Sequence, residues 1–314
     1  MASLKDLRII FMGTPEFAVA SLAALVGRGA NIVGVITAPD KPAGRGMQLQ
    51  QSAVKKYALE KNLNILQPEK LKNPVFIDEL KSLHADVQIV VAFRMLPEVV
   101  WNMPLMGTIN VHASLLPQYR GAAPINWAII NGENETGITT FKLQHEIDTG
   151  NILLQEKISI GQNESAGELH DKLKELGANV LIKTIEGLAD GTLNEVPQSE
   201  IRNPESEIKH APKINTETCK IDWNKNAEEI FNLIRGLSPY PTAFTFLDDK
   251  MLKIYFGKKE IVTHHRTNGD LETDGTTYLK FACADGFIRC TDIQLQGKKR
   301  MLIEDFLRGY KFDK

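Results

Sequence analysis

The sequence has few cysteines, no marked excess of charge of one sign and no long apolar run. Three cysteines in 314 residues cannot make a disulfide framework, so we expect a reducing compartment. With 37 basic and 39 acidic side chains, a protein that coats nucleic acid broadly is excluded. No run approaches the ~20 apolar residues of a membrane span, and the N-terminus lacks the apolar core of a signal peptide. We therefore expect a cytoplasmic protein with no membrane partner.

Sequence patterns for common cofactors and metals are also missing. The first apolar segment ends in Gly13-Thr14-Pro15, where a dinucleotide-binding fold would carry G-x-G-x-x-G. Cysteines, histidines and carboxylates show no metal-ligand spacing. We therefore expect no metal, and a nicotinamide or flavin site loses its main support.

Apolar content is ample, because 43% of the residues are hydrophobic and 24% are charged. The length predicts roughly two domains. In the first half, apolar segments predict strands at 7–12, 31–37, 86–92 and 108–111. Helices are predicted between them at 16–28, 52–61 and 74–83, and a long helix follows at 165–189. This alternation predicts an α/β domain with a parallel sheet covered on both faces.

The pattern changes after residue 189. Residues 190–206 contain Gly, Pro, Asn and Ser without periodicity and are predicted to be a linker. In residues 207–314, one segment, 226–236, is typical of a helix. Short strands are predicted at 242–248, 250–258, 276–282 and 286–294, which suggests a small barrel. The predicted domains are thus 1–189 and 207–314.

Two short segments contain residue types that can perform chemistry. Asn110 and His112 end a predicted strand two residues apart, so both project from one face toward the carboxyl edge of the sheet. Asn can donate to an oxyanion and His can move a proton. Asp148, in Asp148-Thr149-Gly150, could orient a facing imidazole. Taken singly, the structural alternatives, a satisfied histidine and an Asx turn, stay open.

Two loops contain unusual proline and glycine content. Residues 37–46 (TAPDKPAGRG) carry Lys41 and Arg45, and predict either a solvated loop or a basic finger for a polyanion. Residues 114–124 (SLLPQYRGAAP) directly follow His112 and predict either a plain connection or a rigid backbone that presents amides to a flat heterocycle.

Taken together, these segments resemble the methionyl-tRNA formyltransferase family of folate-dependent formyltransferases. The resemblance is collinear and rests on FMGTPEFA at 11–18, APDKPAGRG at 38–46, INVHASLLPQYRGAAPI at 109–125, IDTG at 147–150, IDW at 221–223 and IRGLSPYP at 234–241. It implies a Rossmann-type catalytic domain, a linker and a C-terminal tRNA-binding domain, residues 207–314, that resembles an oligonucleotide-binding (OB) barrel. It also implies transfer of the formyl group of 10-formyltetrahydrofolate to the methionine amine of initiator tRNA.

The resemblance also assigns expected roles to individual residues. Asn110, His112 and Asp148 match the catalytic trio, and Lys41 and Arg45 match the basic loop that contacts tRNA. The folate-binding residues would be Ser114, Leu115, Leu116 and Pro117, together with the pterin loop residues Phe93, Arg94, Met95 and Leu96. This sequence departs from the commoner bacterial pattern at Arg94, which occupies a usually small position in a loop that looks shortened.

Two other functions stay open from the sequence. One is a formyltransferase acting on a small amine, such as a purine precursor or a sugar nucleotide. The other is a noncatalytic nucleotide- or RNA-binding module on a Rossmann scaffold. The basic loop and the second domain favour the tRNA enzyme over the first, and the joint presence of Asn110, His112 and Asp148 disfavours the second. We expect the protein to act as a monomer.

Overall fold

The structure, a computed structural model, describes residues 4–43, 47–201 and 207–312. The chain forms two compact units. The first comprises residues 1–120, 136–158 and 170–209, and the second comprises 121–135, 159–169 and 210–314. The predicted boundary at the 190–206 segment remains a prediction.

The elements are numbered here in chain order. The strands are β1 (Arg8–Gly13), β2 (Asn31–Ile36), β3 (Lys41–Ala43), β4 (Gln48–Gln50), β5 (Ile65–Leu66), β6 (Val87–Val91), β7 (Thr108–His112), β8 (Arg120–Gly121), β9 (Glu135–Lys142), β10 (Ile152–Ser159), β11 (His210–Ala211), β12 (Ala243–Leu247), β13 (Lys250–Ile261), β14 (Leu271–Thr273), β15 (Leu279–Cys283), β16 (Gly286–Leu295) and β17 (Met301–Leu302). The helices are α1 (Glu16–Gly27), α2 (Ala53–Glu60), α3 (Pro74–Ser82), α4 (Glu98–Trp101), α5 (Pro124–Ile130), α6 (Ala166–Asp190), α7 (Gln198–Ile201), α8 (Thr216–Cys219), α9 (Ala227–Leu237) and α10 (Ile303–Gly309).

The first unit is built on a mixed sheet in the order β10-β9-β7-β6-β1-β2-β5. In this order, the strands β7, β6, β1, β2 and β5 are parallel to one another, as the alternation of strands and helices predicts. The sheet continues with β9, which is antiparallel to β7 and was not anticipated from the sequence. Residues 9–12 of β1 are completely buried. A strand buried on both faces has no polar alternation, which is why β1 reads as an unbroken apolar run.

Strand order creates a switch point between β1 and β6. The chain passes from β1 outward through β2 to β5, and then returns to the other side of β1 to form β6 and β7. Ligands of open α/β sheets bind beyond the carboxyl ends of the strands at such a point. The loops after β1 and β6 flank this crevice, and the end of β7 is next to it.

Gly13, the last residue of β1, allows a close approach at this edge. A Cβ atom here would lie 2.6 Å from the Cβ of Ala18 and 3.1 Å from the carbonyl oxygen of Val91. Any larger residue would push α1 and β6 away from β1. The glycine therefore serves local packing at the rim of the crevice.

The second unit contains an antiparallel sheet in the order β12-β13-β16-β15-β14, with β17 paired to β16. Register shifts in β13, between residues 254 and 257, bend the sheet as bulges do. Helix α9 packs against the sheet and begins with a capping box of Asn226 and Glu229. The predicted β-rich domain is confirmed. The expectation of a single helix there is wrong, because α10 buries Ile303, Phe306 and Leu307 in the same core.

The segment predicted as a linker contains regular structure. Val196 forms an antiparallel bridge with Ile152, and α7 follows at Gln198–Ile201. Residues 202–206 lie outside the described part of the chain. In the described residues, no helix is both long enough and apolar enough to cross a membrane.

Candidate active site

Strand β7 places Asn110 and His112 at the carboxyl edge of the sheet. The strand pairs with β6 on one side and with β9 on the other, so its end is fixed from both sides. Asn110 is half-buried, and His112 is 6% exposed. Because the two residues are two apart in a strand, both side chains project from one face. The structure therefore brings them together as the sequence predicts.

The imidazole of His112 faces two acceptors. Its Nε2 lies 2.9 Å from the backbone carbonyl oxygen of Tyr119, and its Nδ1 lies 3.9 Å from Oδ2 of Asp148. A hydrogen bond to the carbonyl requires a proton on Nε2, and the imidazolium carries protons on both nitrogens. The Nδ1–Oδ2 separation is longer than a hydrogen bond, so the carboxylate acts on the ring through its charge. The ring of Phe141 meets the imidazole edge to face, with centroids 6.4 Å apart.

Asp148 lies in a turn with an unusual backbone. Its φ of 55° is in the left-handed region, which costs energy for a residue other than glycine. Two residues later, Gly150 is buried so tightly that a Cβ atom would lie 1.7 Å from the carbonyl oxygen of Lys142. The turn is therefore determined by its surroundings. The result is that the Asp148 carboxylate, with 11% of its side chain exposed, faces His112.

The predicted folate stretch follows His112 as a buried segment. Ser114, Leu116 and Pro117 are buried, and Leu115 is half-buried. Thr139 stabilises this backbone, because its hydroxyl donates to the Ser114 carbonyl at 2.7 Å and accepts from the Leu116 amide at 3.1 Å. Buried side chains cannot offer much surface to a ligand. Any contact with folate from this stretch must therefore come mainly from the backbone and from Leu115.

The predicted pterin loop follows β6 at the switch point. Leu96 is buried, whereas Arg94 and Met95 are exposed. The Arg94 guanidinium donates to the carbonyl of Glu69 at 2.8 Å and to the carbonyl of Pro68. Partial burial lowers its pKa. Arg94 therefore ties the loop to residues 68–69, which is a structural use of the position where this sequence departs from the family pattern.

The predicted basic loop is partly a hairpin. Strands β3 and β4 pair from Lys41–Gln50 to Ala43–Gln48, and the side chain of Lys41 is exposed. Arg45 lies outside the described residues. The base of the hairpin is held by Asp40, which accepts from Lys55 at 2.6 Å and from Gln67 at 2.9 Å. The hydrogen bond from Lys55 lowers the pKa of Asp40.

Several supporting residues were missed from the sequence. They are Tyr119, whose carbonyl faces His112, Thr139 and Gln155 beneath the folate stretch, and Arg120 and Gln198 beside the Asp148 turn. Thr139 lies opposite His112 in the β7–β9 register, but antiparallel pairing could not be read from the sequence. Gln198 lies in the segment predicted as a linker, where no pattern marked it.

Among the residues described, no group of three or more His, Cys, Asp or Glu side chains could hold a metal ion. The arrangement instead offers an amide donor, an imidazole and a carboxylate at the carboxyl edge of the sheet. Such a set can stabilise a developing oxyanion and relay a proton.

Comparison with known proteins identifies relatives over nearly the whole chain. The sequence family described as formyl transferase matches residues 7–185, and its C-terminal domain matches residues 213–311. The methionyl-tRNA formyltransferase of Parabacteroides distasonis is 55% identical over 98% of this chain and 97% of its own length. That of Flavobacterium johnsoniae is 52% identical over 98% of both chains.

Solved structures share the fold at much lower identity. The N-formyltransferase from Helicobacter canadensis, in complex with folinic acid and dTDP-3-aminofucose, is 22% identical, with a TM-score of 0.68 over 94% of this chain and all of its own.

Proposed function

This chain belongs to the formyl transferase family, and we propose that it transfers the formyl group of 10-formyltetrahydrofolate to the α-amine of methionyl initiator tRNA. Relatives more than half identical over almost their whole length are named methionyl-tRNA formyltransferases. The observation on this chain that carries the proposal is that His112, two residues after Asn110 on β7, faces the carboxylate of Asp148. Because initiator tRNA is used in the cytoplasm, we propose that location for the enzyme.

The proposed reaction needs no covalent bond to the enzyme. The methionine amine attacks the formyl carbon, a carbon–nitrogen bond forms, and the carbonyl oxygen takes negative charge. Asn110 donates to that oxygen, and the imidazolium of His112 adds positive charge beside it. One such donor is worth about 3–4 kcal/mol in the transition state.

Collapse of this intermediate breaks the bond to the folate nitrogen. The attacking amine loses a proton and the leaving nitrogen gains one, so the net reaction moves one proton. His112 can relay this proton through Nε2 once that nitrogen exchanges the Tyr119 carbonyl for the substrate, a contribution of roughly 10²–10⁴-fold in rate. The Asp148 carboxylate faces Nδ1 at 3.9 Å and balances the charge of the ring, and Nε2 donates to the Tyr119 carbonyl in the structure. Asp148 thus acts by orientation and electrostatics.

Folate and tRNA are assigned to different parts of the first unit. The backbone of residues 92–97 and 114–117 lines the proposed folate crevice, since these segments follow β6 and β7. The exposed Lys41 on β3 and Arg45, which the sequence assigns to the basic loop, are proposed to contact phosphates at the acceptor end of tRNA. Loss of a folate contact should therefore raise the KM for folate, and loss of a contact from the basic loop should raise the KM for tRNA.

The decisive assay is formylation of charged initiator tRNA with 10-formyltetrahydrofolate, run in parallel with small amines such as aminosugar nucleotides. We expect turnover on the tRNA. Turnover restricted to the small amines would replace this function by the small-molecule alternative. A His112→Ala variant that keeps full turnover would remove the proposed chemistry from this site.

The variant Arg45→Ala tests the proposed role of the basic loop in tRNA binding. We expect a higher KM for tRNA with little change in the KM for folate, and a KM for tRNA that rises with salt as phosphate contacts require. The control is Lys81→Ala, which also removes one positive charge. Lys81 is exposed on α3, and its substitution should leave both KM values unchanged. Equal effects of the two variants would refute a specific role for the hairpin.

A further inference from the structure

The proposed catalytic carboxylate, that of Asp148, lies on a turn that is hydrogen-bonded to a later segment of the chain. Residues 195–198, which we call the clasp segment, lie along the beginning of β10. Val196 exchanges two backbone hydrogen bonds with Ile152, at 2.8 and 2.9 Å. Glu195 accepts from Lys142 at 2.5 Å and from Asn151 at 3.2 Å, and the hydrogen bond from Lys142 lowers its pKa.

Gln198 is the residue of the clasp segment that reaches the turn. Its side-chain amide nitrogen donates to the carbonyl of Asp148 at 2.8 Å and to the carbonyl of Gly150 at 2.9 Å. The two carbonyls are two residues apart, so one amide group can donate to both. The bridge between Val196 and Ile152 holds the clasp segment beside the turn, within reach of these carbonyls. Gln198 is 5% exposed, so water cannot replace these bonds readily.

The other end of the Gln198 amide is also fixed. Its Oε1 accepts from Nε of Arg120 at 3.1 Å and from Nη2 at 2.5 Å. Arg120 directly follows Tyr119, whose carbonyl contacts His112. One buried amide therefore connects the side chain of Arg120, the residue after Tyr119, with the backbone of Asp148. A glutamine satisfied on both sides has one orientation, because reversing the amide would set its oxygen against two carbonyls.

Asp148 needs such support because of its backbone. At a φ of 55° the aspartate is in a conformation that is unfavourable for a residue other than glycine, and the approach of Gly150 to Lys142 fixes one side of the turn. We propose that Gln198 is a positioning residue that acts through Asp148: it holds the turn so that the carboxylate faces Nδ1 of His112. This inference rests on the proposed catalytic role of Asp148.

The test compares two substitutions of nearly equal size. Gln198→Met removes all hydrogen bonding, and Gln198→Glu keeps the acceptor for Arg120 but cannot donate to the two carbonyls. We expect kcat to fall by about 10- to 100-fold in both, as for a reacting group misplaced by roughly 1 Å, with both KM values within about threefold of the parent. A Gln198→Glu variant with the parent kcat would overturn the proposal.

A double-mutant cycle separates positioning through Asp148 from a general structural role. If Gln198 acts through the carboxylate, adding Gln198→Met to Asp148→Asn should lower kcat by less than about twofold further. A structural role would instead multiply the two losses, and that result would overturn the proposal. Thr184→Val removes a buried hydroxyl that bonds Thr140 in the same unit, and should leave kcat unchanged. Thermal unfolding of each variant accounts for any loss of folded protein.

The same variants distinguish failure of this inference from failure of the proposed function. Parent-like kcat in Asp148→Asn would remove Asp148 from the mechanism and Gln198 with it. A large loss in Asp148→Asn together with parent-like kcat in Gln198→Met would overturn the inference alone.

Discussion

Thr139→Val should destabilise the first unit and loosen the proposed folate stretch. Thr139 is completely buried on β9, and valine has nearly the same shape. The substitution removes only the hydroxyl, which donates to the Ser114 carbonyl at 2.7 Å and accepts from the Leu116 amide at 3.1 Å and from Gln155 at 2.9 Å. The change therefore isolates hydrogen bonding from packing.

The magnitude follows from the groups that lose a partner. The Leu116 amide and the Ser114 carbonyl belong to buried residues, and each buried group left unsatisfied costs about 1–3 kcal/mol. Gln155 keeps its other bond, to the Leu116 carbonyl at 2.8 Å, so its loss is small. We expect a total of about 2–6 kcal/mol, a large part of the 5–15 kcal/mol by which folded proteins are typically stable.

Hydrogen exchange followed by mass spectrometry measures this loss of stability within the first unit. Peptides covering β7 and β9 should exchange faster in Thr139→Val by the factor that corresponds to the lost free energy, and the KM for folate should rise while that for tRNA does not. Thr184→Val is the control: its partner Thr140 has a hydroxyl that can turn toward the Leu154 carbonyl, so the cost should be nearer 1 kcal/mol. A loss below about 1 kcal/mol in Thr139→Val, or equal losses in both, would refute the reasoning.

Three further predictions test other parts of the first unit. Asn110→Ala should lower kcat by roughly 10²–10³-fold, measured at saturating folate and tRNA, because one oxyanion donor is lost; a change below about threefold would remove Asn110 from that role. Gly150→Ala should abolish turnover, because the added Cβ would meet the Lys142 carbonyl oxygen at 1.7 Å; parent-like activity would contradict the proposed rigidity of the turn. The hydrogen bond from Lys55 lowers the pKa of Asp40, so the carboxylate stabilises the hairpin base at neutral pH and this contribution is lost as the pH falls through the lowered pKa. Hydrogen exchange at the hairpin should thus be faster in Asp40→Asn than in the parent at neutral pH, with the difference shrinking in acid; a constant difference would contradict this assignment.

Much of the first unit could be predicted because its local patterns agree with its tertiary environment. Buried parallel strands need apolar side chains on both faces, so residues 9–12 of β1 are all apolar and β6 is apolar at every position except Gln88. Asn110 and His112 could be paired from the sequence alone, because a strand always projects residues two apart on one face. The long helix α6 was clear from its spacing of leucine and isoleucine.

Other features depend on contacts between distant segments. The antiparallel pairing of β9 brings Thr139 opposite His112, but register between strands that are far apart in sequence leaves no local signal. The 195–198 segment looks like a linker because its bonds go to residues about 50 positions earlier. The resemblance assigned Arg94 to the pterin loop, whereas in the structure its guanidinium donates to the carbonyls of residues 68 and 69.

The sequence by itself determined the α/β class, the β-rich second domain, the collinear family motifs and the three residues of the proposed catalytic set. These follow from residue type, periodicity and order, which are properties of short segments. Tertiary structure alone decided how that set is held: Nε2 of His112 on the Tyr119 carbonyl, Asp148 in a left-handed turn, and Gln198 beneath the turn. The physical reason is that buried polar groups must find partners wherever the fold brings them, and for these groups the partners lie on other segments of the chain.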